Sequence, residues 1–269
     1  MMPNKEQITK EITGTAPFVL SNFRQLRKID PNDHYWSLFT DISKLTVNGV
    51  FIETAMVVSW IGKTFHPKNI LEIGTRTGGS LIALLSNYQD FRDVEVISFD
   101  LWREYVSTTF FSRKITSLKS KRSQNSEITG NINISEKKLR PFFPLIRNLS
   151  INKVKRNLDY FNIPSGILTF ISGDSKQTVP GYFAKYPGRK FDYILVDGAH
   201  DKETAFIDLQ NIAGHVAENG IIVFDDISDL SYNLMDVWVR FRELHGDEFD
   251  FIEIDCRKGI GIAFKKSGL

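Results

Sequence analysis

The stretch Ile70-Leu71-Glu72-Ile73-Gly74-Thr75-Arg76-Thr77-Gly78-Gly79-Ser80 constrains this chain more than any other. An apolar run ends in a glycine loop, and Leu81, Leu84, Leu85 and Tyr88 follow at i, i+3, i+4 and i+7. Strand, loop and helix in that order open a parallel α/β sheet, not a helical bundle or a sandwich. Glu72 sets a carboxylate close to bare backbone amides, so the loop suits a ligand with both a positive and a negative group.

The pattern repeats downstream. Asn69–Thr75, Glu95–Leu101, Ile167–Ser172, Phe191–Val196 and Ile221–Phe224 read as strands. Helices are expected over about Asn48–Phe65, Gly79–Tyr88, Leu145–Phe161 and Leu234–His245. In the first, Phe51, Ala55, Val58 and Ile61 lie near one face, and Pro67 closes it. A further helix carries Ala205, Leu209, Ile212, Ala213 and Val216, with Asn219-Gly220 as its stop. Phe249–Ile254 and Ile260–Phe264 are joined too closely for a crossover and form an antiparallel hairpin.

The expected fold is therefore α/β: a Rossmann-like seven-stranded sheet, mostly parallel, with an antiparallel C-terminal strand and helices on both faces. Residues 1–66 read as an N-terminal helical extension, a covering layer or a homo-oligomer contact, and residues 67–269 as the ligand-binding domain. Residues 104–144 carry serine, lysine and asparagine without periodicity, as an inserted basic lid or loop does.

Charge narrows the partners. With 34 basic and 32 acidic residues the chain has no polyanion-binding signature overall. From Arg103 to Tyr160, however, 13 basic residues face four acidic ones, which gives this segment +9 and the remainder −7. That excess favours an anionic small molecule if the segment covers a site. The single cysteine, Cys256, excludes an internal disulfide and a cysteine-rich zinc site. The run Val50–Trp60 is interrupted by Glu53 and too short to span a bilayer, and the first residues lack the apolar core of a signal peptide. The expectation is a soluble cytoplasmic protein with neither nucleic acid nor membrane as partner.

In open parallel sheets ligands sit beyond the carboxyl ends of the strands, where strand order reverses. Gly74 and Gly78 let a ligand approach the backbone there, and Ser80 adds a hydroxyl. Glu72 suits an ammonium group and would repel a pyrophosphate. Asp100 stands 26 residues beyond Gly74, where a carboxylate can accept from both ribose hydroxyls. Asp174 and Ser175 can meet an adenine edge or cap a turn. Asp197, His200, Asp225 and Asp226 follow two adjacent strands, and three converging carboxylates call for a cation: Mg²⁺ first, with Mn²⁺ or Ca²⁺ as alternatives.

Together these residues resemble the class I S-adenosylmethionine-dependent methyltransferases, and more narrowly their metal-dependent O-methyltransferases of the catechol and macrolide-sugar types. The resemblance spans roughly residues 45–266, apart from the insertion. It implies Glu72, Gly74, Gly78 and Ser80 on the methionine part, Asp100 on the ribose, and Asp174 and Ser175 near adenine. It further implies Asp197, Asp225 and Asp226 as metal ligands, and His200 as the base in the slot where catechol-type enzymes carry lysine. The Asp-Gly-x-His form points toward a hydroxyl on a sugar or glycosylated natural product. Two rivals keep the fold: a cephalosporin-hydroxylase-like chemistry and a non-catalytic cofactor-binding protein. A nucleic-acid methyltransferase is disfavoured, because no Asn/Asp-Pro-Pro-aromatic motif occurs.

Overall fold

The strands nearest the middle of the sheet are buried on both sides, so helices must cover both faces. The computed structural model describes residues 41–42, 50, 52–105, 146–148, 151–255 and 258–268. The chain divides into two units, Met1–Leu101 with Ser150–Leu269, and Trp102–Leu149. The first begins with α1 (Ile52–Phe65), β1 (Asn69–Ile73), α2 (Gly79–Leu85) and β2 (Glu95–Asp100). The second unit supplies β3 (Arg103–Tyr105) and β4 (Ile146–Asn148), an antiparallel ribbon.

The first unit resumes with α3 (Ile151–Tyr160), β5 (Leu168–Ser172), α4 (Ser175–Lys185), β6 (Phe191–Val196), α5 (Lys202–Ala213) and β7 (Val216–Phe224). It ends with α6 (Met235–His245), β8 (Phe249–Ile254) and β9 (Ile260–Lys265). The seven-stranded sheet runs β5-β2-β1-β6-β7-β9-β8. β9 is antiparallel to both its neighbours and the other pairings are parallel, as expected for a Rossmann-like sheet closed by an antiparallel C-terminal strand. The chain leaves β1 toward β2 and β5, then returns to β6 on the other side. That reversal places the switch point at the ends of β1 and β6.

Alternation sorts the strand residues between two faces. Leu71, Ile73, Ile97, Phe99, Ile194, Val196, Ile222 and Phe224 form one core with Val179, Leu209 and Trp238 from α4, α5 and α6. Each large side chain buried there contributes about 1.5–3 kcal/mol. On the opposite face Glu72 registers with Ser98 and Leu195, and Leu195 with Val223. α1 and α2 serve this second face, where Ser80 and Thr54 reach Glu72 and Asp225. The sheet thus keeps a dry side and a side with carboxylates.

Several element boundaries depart from the sequence reading. The helix expected from Leu145 begins at Ile151, because Ile146–Asn148 pairs with β3. α5 stops at Ala213, and Val216 is already in β7. Asn219, at φ 59, lies inside β7 where its register against β6 shifts, so Asn219-Gly220 marks an irregularity within a strand, not a helix stop. α4 had no counterpart in the expected elements. Pro180 withholds an amide from its ladder, and its buried residues are Val179 and Phe183, too few for a clear stripe. Apart from α1 and a few neighbours, the expected N-terminal extension lies outside the described residues. So do the insertion beyond Tyr105, and Cys256.

α1 meets α2 backbone to backbone at Gly62. A Cβ on Gly62 would lie 1.9 Å from the Leu84 carbonyl oxygen, whereas one on Gly181 in α4 would meet nothing within 4 Å among the described residues. Gly62→Ala should therefore cost about 1–3 kcal/mol. Gly181→Ala should instead gain about 0.5–1 kcal/mol. Urea unfolding midpoints at constant slope measure both.

Candidate active site

The glycine loop after β1 is held from three sides. Gly74, at φ 95, has no room for a side chain, since a Cβ would sit 2.0 Å from the Asp197 carbonyl oxygen. Its amide donates to Phe99 O of β2 at 2.8 Å. Gly78, at φ 82, precedes α2. From α3, Asn157 Nδ2 donates to Thr77 O at 2.9 Å, and a Val154 methyl lies 3.0 Å from where a Gly78 Cβ would be. The glycines are needed here because three separate segments converge on one loop.

Glu72 is wholly buried beneath that loop. Ser80 Oγ donates to its Oε1, while Oε2 has no hydrogen-bond partner among the described residues. Burial pushes the Glu72 carboxyl up to about 7, tempered by the Ser80 and Thr75 hydroxyls and reinforced by the charge of Asp100. A buried carboxylate with one oxygen unsatisfied fits an incoming ammonium group. Asp100 Oδ2 accepts from the Arg76 amide at 2.6 Å. Asp174 caps α4, its Oδ1 accepting from the Lys176 amide at 3.0 Å.

Ser175 opens α4 beside Asp208, a fully buried residue of α5 that the sequence reading did not single out. Neither Asp208 oxygen makes a well-formed hydrogen bond among the described residues. Burial pushes this carboxyl up to about 7, tempered by the Ser175 hydroxyl. Only packing of α5 on α4 reveals it, because the surrounding sequence reads as an ordinary amphipathic helix.

The second half of the site gathers after β6 and β7. Ligand atoms of Asp197, His200 and Asp226 all lie within 4.8 Å of one another. His200 Nε2 stands 3.1 Å from Asp226 Oδ2, and its ring stacks on Tyr232 with centroids 4.2 Å apart. Asp226 occupies the left-handed region at φ 61, an uncommon backbone for a residue other than glycine and one that recurs at functional sites.

Asp225 is buried, and Thr54 Oγ1 of α1 donates to its Oδ1 at 3.5 Å. Desolvation and the charges of Asp225 and Asp226 push the Asp197 carboxyl well up. Burial and then Asp226 raise Asp225, while Lys258 and His200 pull it back. Glu72, Gly74, Gly78, Ser80 and Asp100 thus gather around the loop after β1, and Asp197, His200, Asp225 and Asp226 after β6 and β7, whereas Asp174 and Ser175 stand at the head of α4 beside Asp208. The compact cation-sized cluster contains His200, with Asp225 set behind it. Thr54, Tyr232 and Lys258 were missed, since each comes from an element whose place beside the site is set by packing and not by a motif.

Comparisons with known proteins identify the family and the fold. A family model described as a methyltransferase domain matches residues 71–227, more than half of the chain. The chain belongs to that family. Its sheet and motifs are those of the class I, S-adenosylmethionine-dependent methyltransferases. No curated protein matches by sequence.

Among solved structures, an S-adenosylhomocysteine-bound methyltransferase from Podospora anserina is similar at 13% identity and TM-score 0.55, over 99% of each chain. An O-methyltransferase from Bacillus cereus, in complex with S-adenosylhomocysteine, is similar at 15% identity and TM-score 0.54, over 88% of this methyltransferase and 93% of that chain. The O-methyltransferase TomG from Streptomyces achromogenes, involved in tomaymycin synthesis, is similar at 13% identity and TM-score 0.51, over 88% and 91%. At these identities the likeness is one of fold. Among the described residues of this methyltransferase no helix is long and apolar enough to cross a membrane.

Burial of Glu72 makes stability depend on pH. Its carboxyl titrates at about 7 in the folded protein against an ordinary 4.5, so between those values the folded state holds the extra proton. The contribution is full below the lower value and lost as pH rises through the upper one. Without cofactor, Glu72→Gln should gain stability relative to the parent between about pH 5 and pH 8, by up to roughly 3 kcal/mol. The difference in urea midpoints across that range measures it; a constant difference would place the Glu72 titration elsewhere.

Proposed function

We propose that this methyltransferase acts on a hydroxyl of a small molecule and uses a divalent cation at the acceptor side. The observation that carries the reading is the grouping of Asp197, His200 and Asp226 within 4.8 Å, on a loop whose backbone touches the glycine loop at Gly74. That contact sets the two halves against each other.

On the cofactor side, Glu72 Oε2 would take the methionine ammonium, with Gly74, Gly78 and Ser80 around the methionine part. Asp100 would take the ribose, and Asp174 and Ser175 would stand near the adenine edge. The carboxylate oxygens suit Mg²⁺, with Mn²⁺ or Ca²⁺ as alternatives, and leave the imidazole to the acceptor. Asp197 and Asp226 would hold the cation directly, and Asp225, steadied by Thr54, would add charge from behind. S-adenosylmethionine supplies a sulfonium methyl group, and a cation supplies charge that stabilises a developing alkoxide.

The chain's own residues do the rest. His200 takes the proton of the acceptor hydroxyl at Nδ1, because Nε2 faces the Asp226 carboxylate and donates to it, and stacking on Tyr232 orients the ring. The acceptor oxygen forms its bond to the methyl carbon as the carbon–sulfur bond breaks, leaving a neutral thioether. Much of the acceleration then comes from alignment of oxygen and methyl carbon across the loop contact. The Asp197-Gly198-Ala199-His200 form and the basic segment favour a sugar or glycosylated natural product, including an anionic one, over a catechol. Involvement of a similar fold in tomaymycin synthesis is in keeping with a small-molecule acceptor.

His200→Ala should lower turnover by about 10²–10⁴-fold. Affinity for S-adenosylmethionine and for Mn²⁺, read by calorimetry, should stay nearly unchanged. Loss of Mn²⁺ binding would reassign the imidazole to the cation. Chelation with EDTA should stop turnover and added Mg²⁺ restore it, with product mass showing the gained methyl group; full turnover in EDTA would remove the cation from the reaction.

A further inference from the structure

The turn between β8 and β9 brings into the acceptor half a side chain with no part yet in the reaction. Lys258 Nζ lies 2.9 Å from Asp226 Oδ2, 3.0 Å from Asp229 Oδ2 and 5.1 Å from the Tyr232 ring centroid. Its side chain is 23% exposed. The turn that carries it is locked to the loop after β7. The Ser228 amide donates to Lys258 O at 2.6 Å, and the Ile227 amide to Gly259 O at 3.2 Å. Gly259, at φ 75, would set a Cβ 2.2 Å from Ser228 Oγ, so the Ser228 and Ile227 side chains leave no room for one there.

The two carboxylates have different neighbours. Asp226 Oδ2 also faces His200 Nε2 at 3.1 Å. Asp229 organises the turn that carries Tyr232: its Oδ1 accepts from the Ser231 amide at 2.8 Å, and its carbonyl from the amides of Tyr232 and Asn233 at 3.1 and 2.9 Å. One ammonium therefore joins the carboxylate beside His200 to the turn bearing the ring stacked on His200. A compact ammonium with three donors can serve both carboxylates at once.

We propose that Lys258 is a positioning residue for methyl transfer: by tying Asp226 to Asp229 it holds His200 between the Asp226 carboxylate and the Tyr232 ring. The kinetic consequence rests on the O-methyltransferase reading, while the positional claim does not. Removing the ammonium unties the Asp229 turn from the Asp226 carboxylate and leaves Asp226 beside Asp225 without the lysine charge. His200 then loses its fixed orientation, and turnover falls without loss of cofactor binding.

The test uses the full chain with ¹³C-labelled histidine, comparing the parent with Lys258→Met and Lys258→Arg. In the parent, stacking on Tyr232 should shift the His200 ring protons upfield. Lys258→Met should abolish that shift and lower kcat by roughly 10- to 100-fold. S-adenosylmethionine affinity should be unchanged, and Lys258→Arg should recover most of both signals. A His200 shift that persists in Lys258→Met, or kcat and cofactor affinity falling together, would overturn the proposal. If Lys258→Met does not fold, Asp229→Asn decides in the same way by displacing the His200 signal or leaving it in place. The spectrum needs no acceptor, so failure to methylate any hydroxyl counts against the function and not against this placement.

Discussion

The approach of Gly74 to the Asp197 carbonyl is the contact on which the rest of the site depends. At 2.0 Å from a would-be Cβ, it joins the loop after β1 to the loop after β6 with no side chain between. Parallel strands on either side of the switch point bring these two loops together, and glycine lets them touch. One loop lies above a buried carboxylate suited to an ammonium; the other carries carboxylates and an imidazole. In the proposed reaction these two chemistries meet at a single methyl group, and one backbone contact sets them against each other.

Such a site is costly to fold. Glu72 and Asp225 are withdrawn from water, with Asp197 and Asp226 close by, and like charges beside one another raise that cost. The protein offsets it with hydroxyls from Ser80, Thr75 and Thr54 and with the Lys258 ammonium. The dry face of the sheet, with its core running from Leu71 to Trp238 and Phe241, supplies the stability that tolerates this. Strain follows the same distribution. Asp226 at φ 61 stands where carboxylate, imidazole and ammonium meet.

Much of this was legible along the chain. Glu72, Gly74, Gly78 and Asp100 sit at strand ends defined by apolar runs, and His200, Asp225 and Asp226 follow the next two runs, so topology alone brings them to one edge. Less regular elements were not legible. Pro180 hides α4, and the three-residue strand at Ile146–Asn148 exists through pairing with β3. Val216 continues an apolar stripe as well as it begins a strand. In each case the local pattern is short or shared by two structures, and long-range pairing decides between them.

By itself the sequence determined the order of elements, the glycine positions where backbone must be bare, and the acidic groups at the strand ends, because these follow from periodicity and local sterics. Tertiary structure decided which side chains complete the site. Lys258 comes within reach of Asp226 because β9 inserts between β7 and β8, bringing a distant turn against the loop after β7. Thr54 reaches Asp225 because Gly62 lets α1 settle against α2, and Tyr232 reaches His200 because Asp229 folds the intervening turn. None of the three lies in a motif. Each is placed by packing between segments far apart in the chain or by a loop that packing holds, and that information resides in contacts and not in local order.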